Sequence, residues 1–213
     1  LVMSKVFCFG TSGGCLDSFY LFKEIFHDSD ELLFLSDHHD PGESIYDHKV
    51  AGSFQYAVST EANAHKFIYQ CGSVHNHQKR HLWFKRAIEN GMTPITLISD
   101  KAYIHPTASI GRGSIIYPGV RIMANAQLGE NSVVLPNTVI NHDASVGDYC
   151  VINSSCVLNG GVILGNNCYI GSSSSIKENV TLLSNITLGM SSVVIKSLDK
   201  TGLYFGFPAK FIQ

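Results

Sequence analysis

Residues 140–171 read INHDASVGDYCVINSSCVLNGGVILGNNCYIG. An aliphatic side chain returns at every sixth position: Ile140, Val146, Ile152, Leu158, Leu164 and Ile170. Four residues after each stands a second column, Ala144, Cys150, Cys156, Val162, Cys168 and Ser174, whose members are mostly small. Worked outward, the aliphatic column runs unbroken from Ile104 to Val194, and the small column from Ala108 to Ser192. Glycine often follows the aliphatic residue, as at Gly111, Gly129, Gly147, Gly165, Gly171 and Gly189.

A period of six fits neither an α-helix nor an isolated strand. It fits a three-sided solenoid in which each hexapeptide supplies one short strand and one corner. Three hexapeptides close a coil of about 18 residues, so residues 104–194 give about five coils with no inserted loop. Cys150, Cys156 and Cys168 fall in the small column and read as compact core side chains. The other cysteines, Cys8, Cys15 and Cys71, form no CxxC pair. The tail from Gly202 to Lys210 leaves the period and is expected to fold back along the last coils.

The 213 residues are 45% hydrophobic and 15% charged, ample for a buried core. A net charge of -2 supplies no basic stripe for nucleic acid. No apolar run reaches the ~18 residues of a membrane span. Met3 reads as the natural start, and no secretory signal pattern is evident. A reducing cytoplasm is the expected compartment.

The first hundred residues read as a small α/β unit. Lys5 to Phe9 is a short apolar strand leading into Gly10-Thr11-Ser12-Gly13-Gly14 and a helix from about Leu16 to Phe26. Leu32 to Leu35 is a second strand, ending at Ser36-Asp37. Phe54 to Ser59 reads as a short helix, Phe67 to Gln70 as a third strand running into Gly72, and Gln78 to Asn90 as a helix. Ile95 to Ile98 reads as a last strand. This alternation implies a parallel sheet with ligands beyond the carboxyl ends of its strands. The glycine loop suits a phosphate. An ordinary turn that needs glycine for its dihedrals explains it equally, and Cys15 stands where a dinucleotide fingerprint has its third glycine.

The two halves in this order resemble the NeuD-type sugar acetyltransferases, which include bacillosamine- and perosamine-type nucleotide-sugar N-acetyltransferases and sialic acid O-acetyltransferases. The carrying stretches are Asn141 to Asp148, Gly160 to Gly171, and Gly206-Phe207-Pro208-Ala209-Lys210. The resemblance implies a left-handed parallel β-helix after a small Rossmann-like domain. The left hand is not derivable from the period, since parallel crossovers are usually right-handed. It implies a nucleotide-sugar-binding unit over 3–100 and an acetyltransferase unit over 101–213. It also implies a homotrimer with active sites at subunit interfaces.

On the same resemblance, His142 is the catalytic base and Asp143 its acidic partner. Gly160, Ser172, Met190, Pro208, Ala209 and Lys210 lie at acetyl-CoA positions. Gly10, Ser12, Gly13, Asp37 and Gly72 lie around a nucleotide-linked amino sugar carrying UDP, dTDP or GDP. The chain departs from the family pattern in three places: Val151 stands where some members carry a second histidine, Leu135-Pro136 replaces an Asn-Thr pair, and the front loop lacks its last glycine.

The residues give their own account of the chemistry. A thioester is already activated, but a sugar ammonium has no lone pair until it loses a proton. Histidine is the side-chain type suited to take it. Equivalent positions of successive coils stack, so His142 lies between Ala124 and Gly160, small neighbours that leave room for an acetyl group and an amine. A solvent-facing structural histidine is the plainer alternative for His142, and a turn-capping corner residue for Asp143. The leading expectation is acetyl-CoA-dependent N-acetylation of a nucleotide-linked 4-amino-4,6-dideoxy sugar without a metal. O-acetylation of a sialic acid-type sugar and a non-catalytic nucleotide-sugar-binding trimer are the alternatives. A zinc hydratase on the same solenoid needs three converging histidines, and the repeat offers His105 and His142. His38 and His39 read as a solvated loop. His75, His77 and His81 read as a polar helix start.

Overall fold

The computed structural model describes residues 5–10, 12–26, 31–59, 65–70 and 80–212. From Leu97–Ile98 to Val193–Val194 the chain lays down short strands gathered into three parallel walls of six, six and five strands. Each strand pairs with its counterpart one coil on, as in Ile115↔Val133, Val139↔Val157 and Ser145↔Ile163. This is a parallel β-solenoid of nearly six coils, which corrects the expected five starting at Ile104. Leu97–Ile98, read as the end of the front sheet, pairs with Ile115–Ile116 and opens the first wall. Ile98 and Ala102 continue both columns one step further back. The apolar run Ile95 to Ile98 hid that step by reading as a strand of its own.

The aliphatic column fills the prism: Ile116, Ile122, Ile140, Ile152, Leu158 and Ile170 are fully buried. Each such side chain contributes roughly 1.5–3 kcal/mol relative to exposure. The small column serves a second need. Its hydroxyls and thiols donate to a carbonyl of the next coil: Ser114 Oγ to Gly129 O (2.8 Å), Thr138 Oγ1 to Asn153 O (2.7 Å), Cys150 Sγ to Gly165 O (3.2 Å) and Cys156 Sγ to Gly171 O (3.2 Å). Serine, threonine and cysteine therefore alternate there at little cost, because each buried polar group is satisfied. Cys150, Cys156 and Cys168 are free and buried, as the repeat implies.

A third column governs the corners. Every sixth residue from Gly113 to Ser191 has a positive φ, and the non-glycine members lie between 46° and 62°. Asn125, Asn131, Asn137, Asp143, Asn167, Asn179 and Asn185 are among them. Short amide and carboxylate side chains tolerate this left-handed conformation best after glycine. Tyr149 is the costly exception, and its ring is held edge-on against Phe84 and beside His81.

Ahead of the solenoid lie β1 (Lys5–Phe9), α1 (Gly13–Phe26), β2 (Glu31–Leu35), β3 (Ser44–Ile45), β4 (His48–Gly52), α2 (Phe54–Ser59), β5 (Lys66–Tyr69), α3 (Arg80–Glu89) and β6 (Thr93–Pro94). They form one sheet of order β3-β4-β2-β1-β5-β6, parallel except at the β3 edge. The β3–β4 hairpin has no counterpart in the sequence reading. Its turn residues, Tyr46 and Asp47, both have positive φ, yet Tyr-Asp lacks the Asn-Gly signature of such turns.

The sheet and α1 pack on the first wall of the prism. Val6, Leu21, Phe22 and Ile68 share a core with Leu97, Ile115 and Val133. Polar ties reinforce the joint. The buried Tyr117 hydroxyl lies 2.7 Å from Ser18 Oγ and accepts from Gln70 Nε2 at 3.3 Å, and burial pushes its phenol well above the ordinary range. The Arg80 guanidinium, fully buried, donates to both Asn131 oxygens at 2.7 Å. At the far end, Gly202–Phe205 extends the first wall beside Ile186–Leu188, and Lys210–Ile212 returns antiparallel to it. The tail thus adds a strand and a hairpin to the wall.

Replacing Ile152 by alanine opens a cavity with no neighbour free to collapse into it. A loss of about 3 kcal/mol is expected, measured as a drop in the denaturant midpoint at unchanged slope.

Candidate active site

His142 sits on a corner, two residues past the inward Ile140. The corner ladder fixes its backbone: Gly161 N donates to His142 O at 3.0 Å, and Asp143 N to Ala124 O at 2.9 Å. Its side chain is 68% exposed, so the ring lies outside the hydrophobic interior. Nδ1 is 2.8 Å from Asp143 Oδ2. A carboxylate only accepts, so the neutral ring carries its proton on Nδ1 and keeps a lone pair on Nε2.

Gly160 lies one coil on, directly against the ring. A Cβ added there would stand 2.6 Å from His142 Cε1 and 2.7 Å from Nε2. Gly160 is absent from the positive-φ corner positions, so its bare backbone answers a demand for space. An open cavity of about 470 Å³ spreads over this corner, lined by His142, Asp143, Asn159, Gly160, Glu178 and Asn179. Asp143 is both corner residue (φ 59°) and ring partner. The hydrogen bond from His142, then one from Asn125, holds its carboxyl below the ordinary aspartate value.

The remaining expected residues form two other groups. Ser172 and Met190 stack in adjacent coils on a different corner, one coil and two sides beyond His142. Gly206 to Ala209 lies beside them, with Val193 N donating to Gly206 O and Ala209 N to Val193 O. Pro208 and Lys210 are exposed there. A single chain therefore brings Gly160 to His142 but not Ser172, Met190 or the closing segment.

In the front unit, Gly10, Ser12, Gly13 and Asp37 gather at the carboxyl ends of β1 and β2. Gly10 N donates to Leu35 O (3.0 Å), and Gly10 has φ 112°. A Cβ at Gly13 would lie 4.0 Å from the Tyr46 hydroxyl, so the unforeseen hairpin leans over the glycine loop. Asp37 Oδ1 accepts from Phe54 N and caps α2 (3.0 Å). Cys15 is buried beneath the loop, its thiol donating to Gln70 O at 3.1 Å, which accounts for a cysteine in place of a third glycine. Gly72, His75 and His77 lie outside the described residues. His39 pairs with Glu43 at 2.9 Å. Among the described residues no group of three or more His, Cys, Asp or Glu could hold a metal ion.

Glu178 and Asn125 escaped the sequence reading. Both stand on the stacking rows of the dyad: Glu178 is one coil past Gly160, and Asn125 is one coil before Asp143.

The sequence profile of the GMPPB C-terminal domain matches residues 92–196. No curated protein sequence matches the chain. Solved structures match over nearly its whole length. The acetyltransferase domain of PglB from Neisseria gonorrhoeae, solved with acetyl coenzyme A, is 22% identical, with coverage of 99% of this chain and 100% of that one and a TM-score of 0.88. A mutant of the GDP-perosamine N-acetyltransferase from Caulobacter crescentus, solved with CoA and GDP-perosamine, is 19% identical (100% and 98%, TM-score 0.88). WeeI from Acinetobacter baumannii is 21% identical (99% and 100%, TM-score 0.89). The chain has the fold of these hexapeptide-repeat proteins.

Two outcomes follow from the corner geometry. Gly160→Ala should displace the imidazole and break its bond to Asp143 in a crystal structure, with little change in thermal midpoint. His142→Ala should raise the Asp143 carboxyl toward the ordinary aspartate value in a ¹³C titration. The ring's hydrogen bond favours the ionised carboxylate, so losing it raises the group. By linkage the depressed group favours the fold above the unfolded-state value, and that contribution is lost as pH falls through the folded one.

Proposed function

We propose that the protein is an acetyl-CoA-dependent N-acetyltransferase acting on a nucleotide-linked 4-amino-4,6-dideoxy sugar. The observation that carries this reading is the exposed Nε2 of His142, its Nδ1 tied to Asp143, set on the bare backbone of Gly160 within an open cavity. Relatives of this fold were solved with acetyl coenzyme A and with CoA and GDP-perosamine, which supports the pairing of thioester and amino sugar.

In the proposed reaction the sugar amine attacks the thioester carbonyl carbon. His142 Nε2 takes the proton that the nitrogen loses, and such a base contributes roughly 10²–10⁴-fold. The Gly160 N–H is the donor offered to the tetrahedral oxyanion. Collapse breaks the C–S bond, and the proton passes to the departing CoA thiolate. Asp143 holds the ring in its Nδ1–H form and steadies the imidazolium.

The separation of corners supports a homotrimer. His142 and Gly160 occupy one edge of the prism, while Ser172, Met190, Pro208, Ala209 and Lys210 occupy another. Two copies packed side by side bring unlike edges together, and acetyl-CoA would lie between them. The front unit, 3–100, would hold the nucleotide-sugar at Gly10, Ser12, Gly13, Asp37 and Gly72. Its strand order reverses direction beside β1, where doubly wound, Rossmann-like sheets take ligands. The solenoid unit, 101–213, would be a left-handed coil and carry the chemistry. A reaction that draws on acetyl-CoA belongs in the cytoplasm.

Acetyl-CoA offered with UDP-, dTDP- and GDP-linked 4-amino-4,6-dideoxy sugars is expected to release free thiol with at least one of them. His142→Ala should lower kcat by roughly 10²-fold or more. Turnover with sialic acid alone would replace the amine by a hydroxyl, and undiminished turnover in the variant would remove His142 as the base.

A further inference from the structure

The ring of His142 and the carboxylate of Asp143 are both well exposed, at 68% and 59% of their side-chain surface. An exposed two-member pair is ordinarily worth little and loosely oriented. What orients a catalytic dyad elsewhere is burial or a third fixed group. Within the single chain burial is missing at this corner, and a third group is present. Asn125 Nδ2 donates to Asp143 Oδ1 at 3.0 Å, while Asp143 Oδ2 takes His142 Nδ1 at 2.8 Å. Both carboxylate oxygens are thus engaged, one by each neighbour, which restrains rotation of the group.

Resting on the acyl-transfer reading above, we propose that Asn125 is a positioning residue that locks the Asp143 carboxylate, and through it the imidazole, so that Nε2 faces the acceptor. Asn125 can do this because its backbone is anchored in the corner ladder. Its φ of 59° seats it in the corner column, and its N–H donates to Thr107 Oγ1 at 2.9 Å. The row Thr107, Asn125, Asp143 rises through three successive coils, so the dyad is anchored to the repeat from the coils below.

The fold holds its own comparison. Asn167 Nδ2 donates to Asn185 Oδ1 at 2.7 Å, the same rung between stacked corner residues. There the acceptor is another amide and no ring depends on it, so that rung serves the corner alone. At 125 and 143 the acceptor is a carboxylate whose second oxygen is already committed to a histidine. The difference separates a device for orienting His142 from a general device for holding corners.

The test uses Asn125→Gly, which keeps left-handed freedom and deletes only the amide. Asn167→Gly serves as the structural control. The ring ¹⁵N shifts of His142, identified by their loss in His142→Ala, report the tautomer without any need for turnover. The wild-type protein and Asn167→Gly are expected to show the Nδ1–H form, and Asn125→Gly a mixture of both tautomers. With a substrate from the panel above, Asn125→Gly should lower kcat about tenfold with either KM changed less than about twofold. Asn167→Gly should leave both unchanged. A wild-type tautomer in Asn125→Gly overturns the proposal, whatever kcat does. So does an equal loss in both glycine variants. No thiol release from the wild-type protein with any sugar of the panel would instead overturn the acyl-transfer reading, and full activity in His142→Ala would remove His142 as its base, while an unaffected Asn125→Gly beside an inactive His142→Ala removes only the role given to Asn125.

Discussion

The whole molecule depends on one backbone requirement, a left-handed residue at each corner of the prism. It turns the chain so that the next strand begins in phase with its counterpart in the coil before. The aliphatic column can fill the interior only while that phase holds, since a slip of one residue would turn every inward side chain outward. Fourteen consecutive corners, from Gly113 to Ser191, meet the requirement. The rigid edges that result are what place His142 against Gly160 and Asn125 beneath Asp143.

The same regularity decides where the front unit sits. Three successive outward positions on the first wall, Ile115, Val133 and Val151, are apolar and buried. Their counterparts on the third wall include Gln127 and Ser145. The sheet and α1 cover that apolar strip, and Arg80, Tyr117 and Tyr149 tie the joint at its edges. Val151, buried at the next outward position of the same wall, continues the apolar row. The glycine loop is thereby fixed to the solenoid through Gly14, whose carbonyl accepts from the Tyr117 hydroxyl at 3.3 Å.

Much of this was legible because a period of six repeated many times leaves little freedom. Two columns gave the solenoid, the interior and the small neighbours of His142. The third column was equally visible as Gly, Asn, Asp and Ser at a fixed offset, but its meaning is dihedral and not hydrophobic, so a search for apolar repeats passes over it. Asn125 and Glu178 were missed for a related reason: their importance lies in stacking on the dyad and not in any local motif. The β3–β4 hairpin was hidden because Tyr46 and Asp47 adopt positive φ without glycine or asparagine. The first coil was hidden because Ile95 to Ile98 serves two structures at once, and a single apolar run does not announce where one ends.

Asp143 illustrates how the architecture limits the chemistry written on it. The acid beside the imidazole is also a hinge pin of the backbone, so a longer carboxylate such as glutamate would fit the ring less well and the left-handed turn less comfortably. The converse is an opportunity for engineering. Positions 124–125 and 178–179 present the same bend on the same edge, so a histidine followed by aspartate grafted there would meet the same backbone turn. The prism behaves as a ruler with evenly spaced notches, along which such a pair can be moved in steps of one coil wherever a glycine is supplied one coil on.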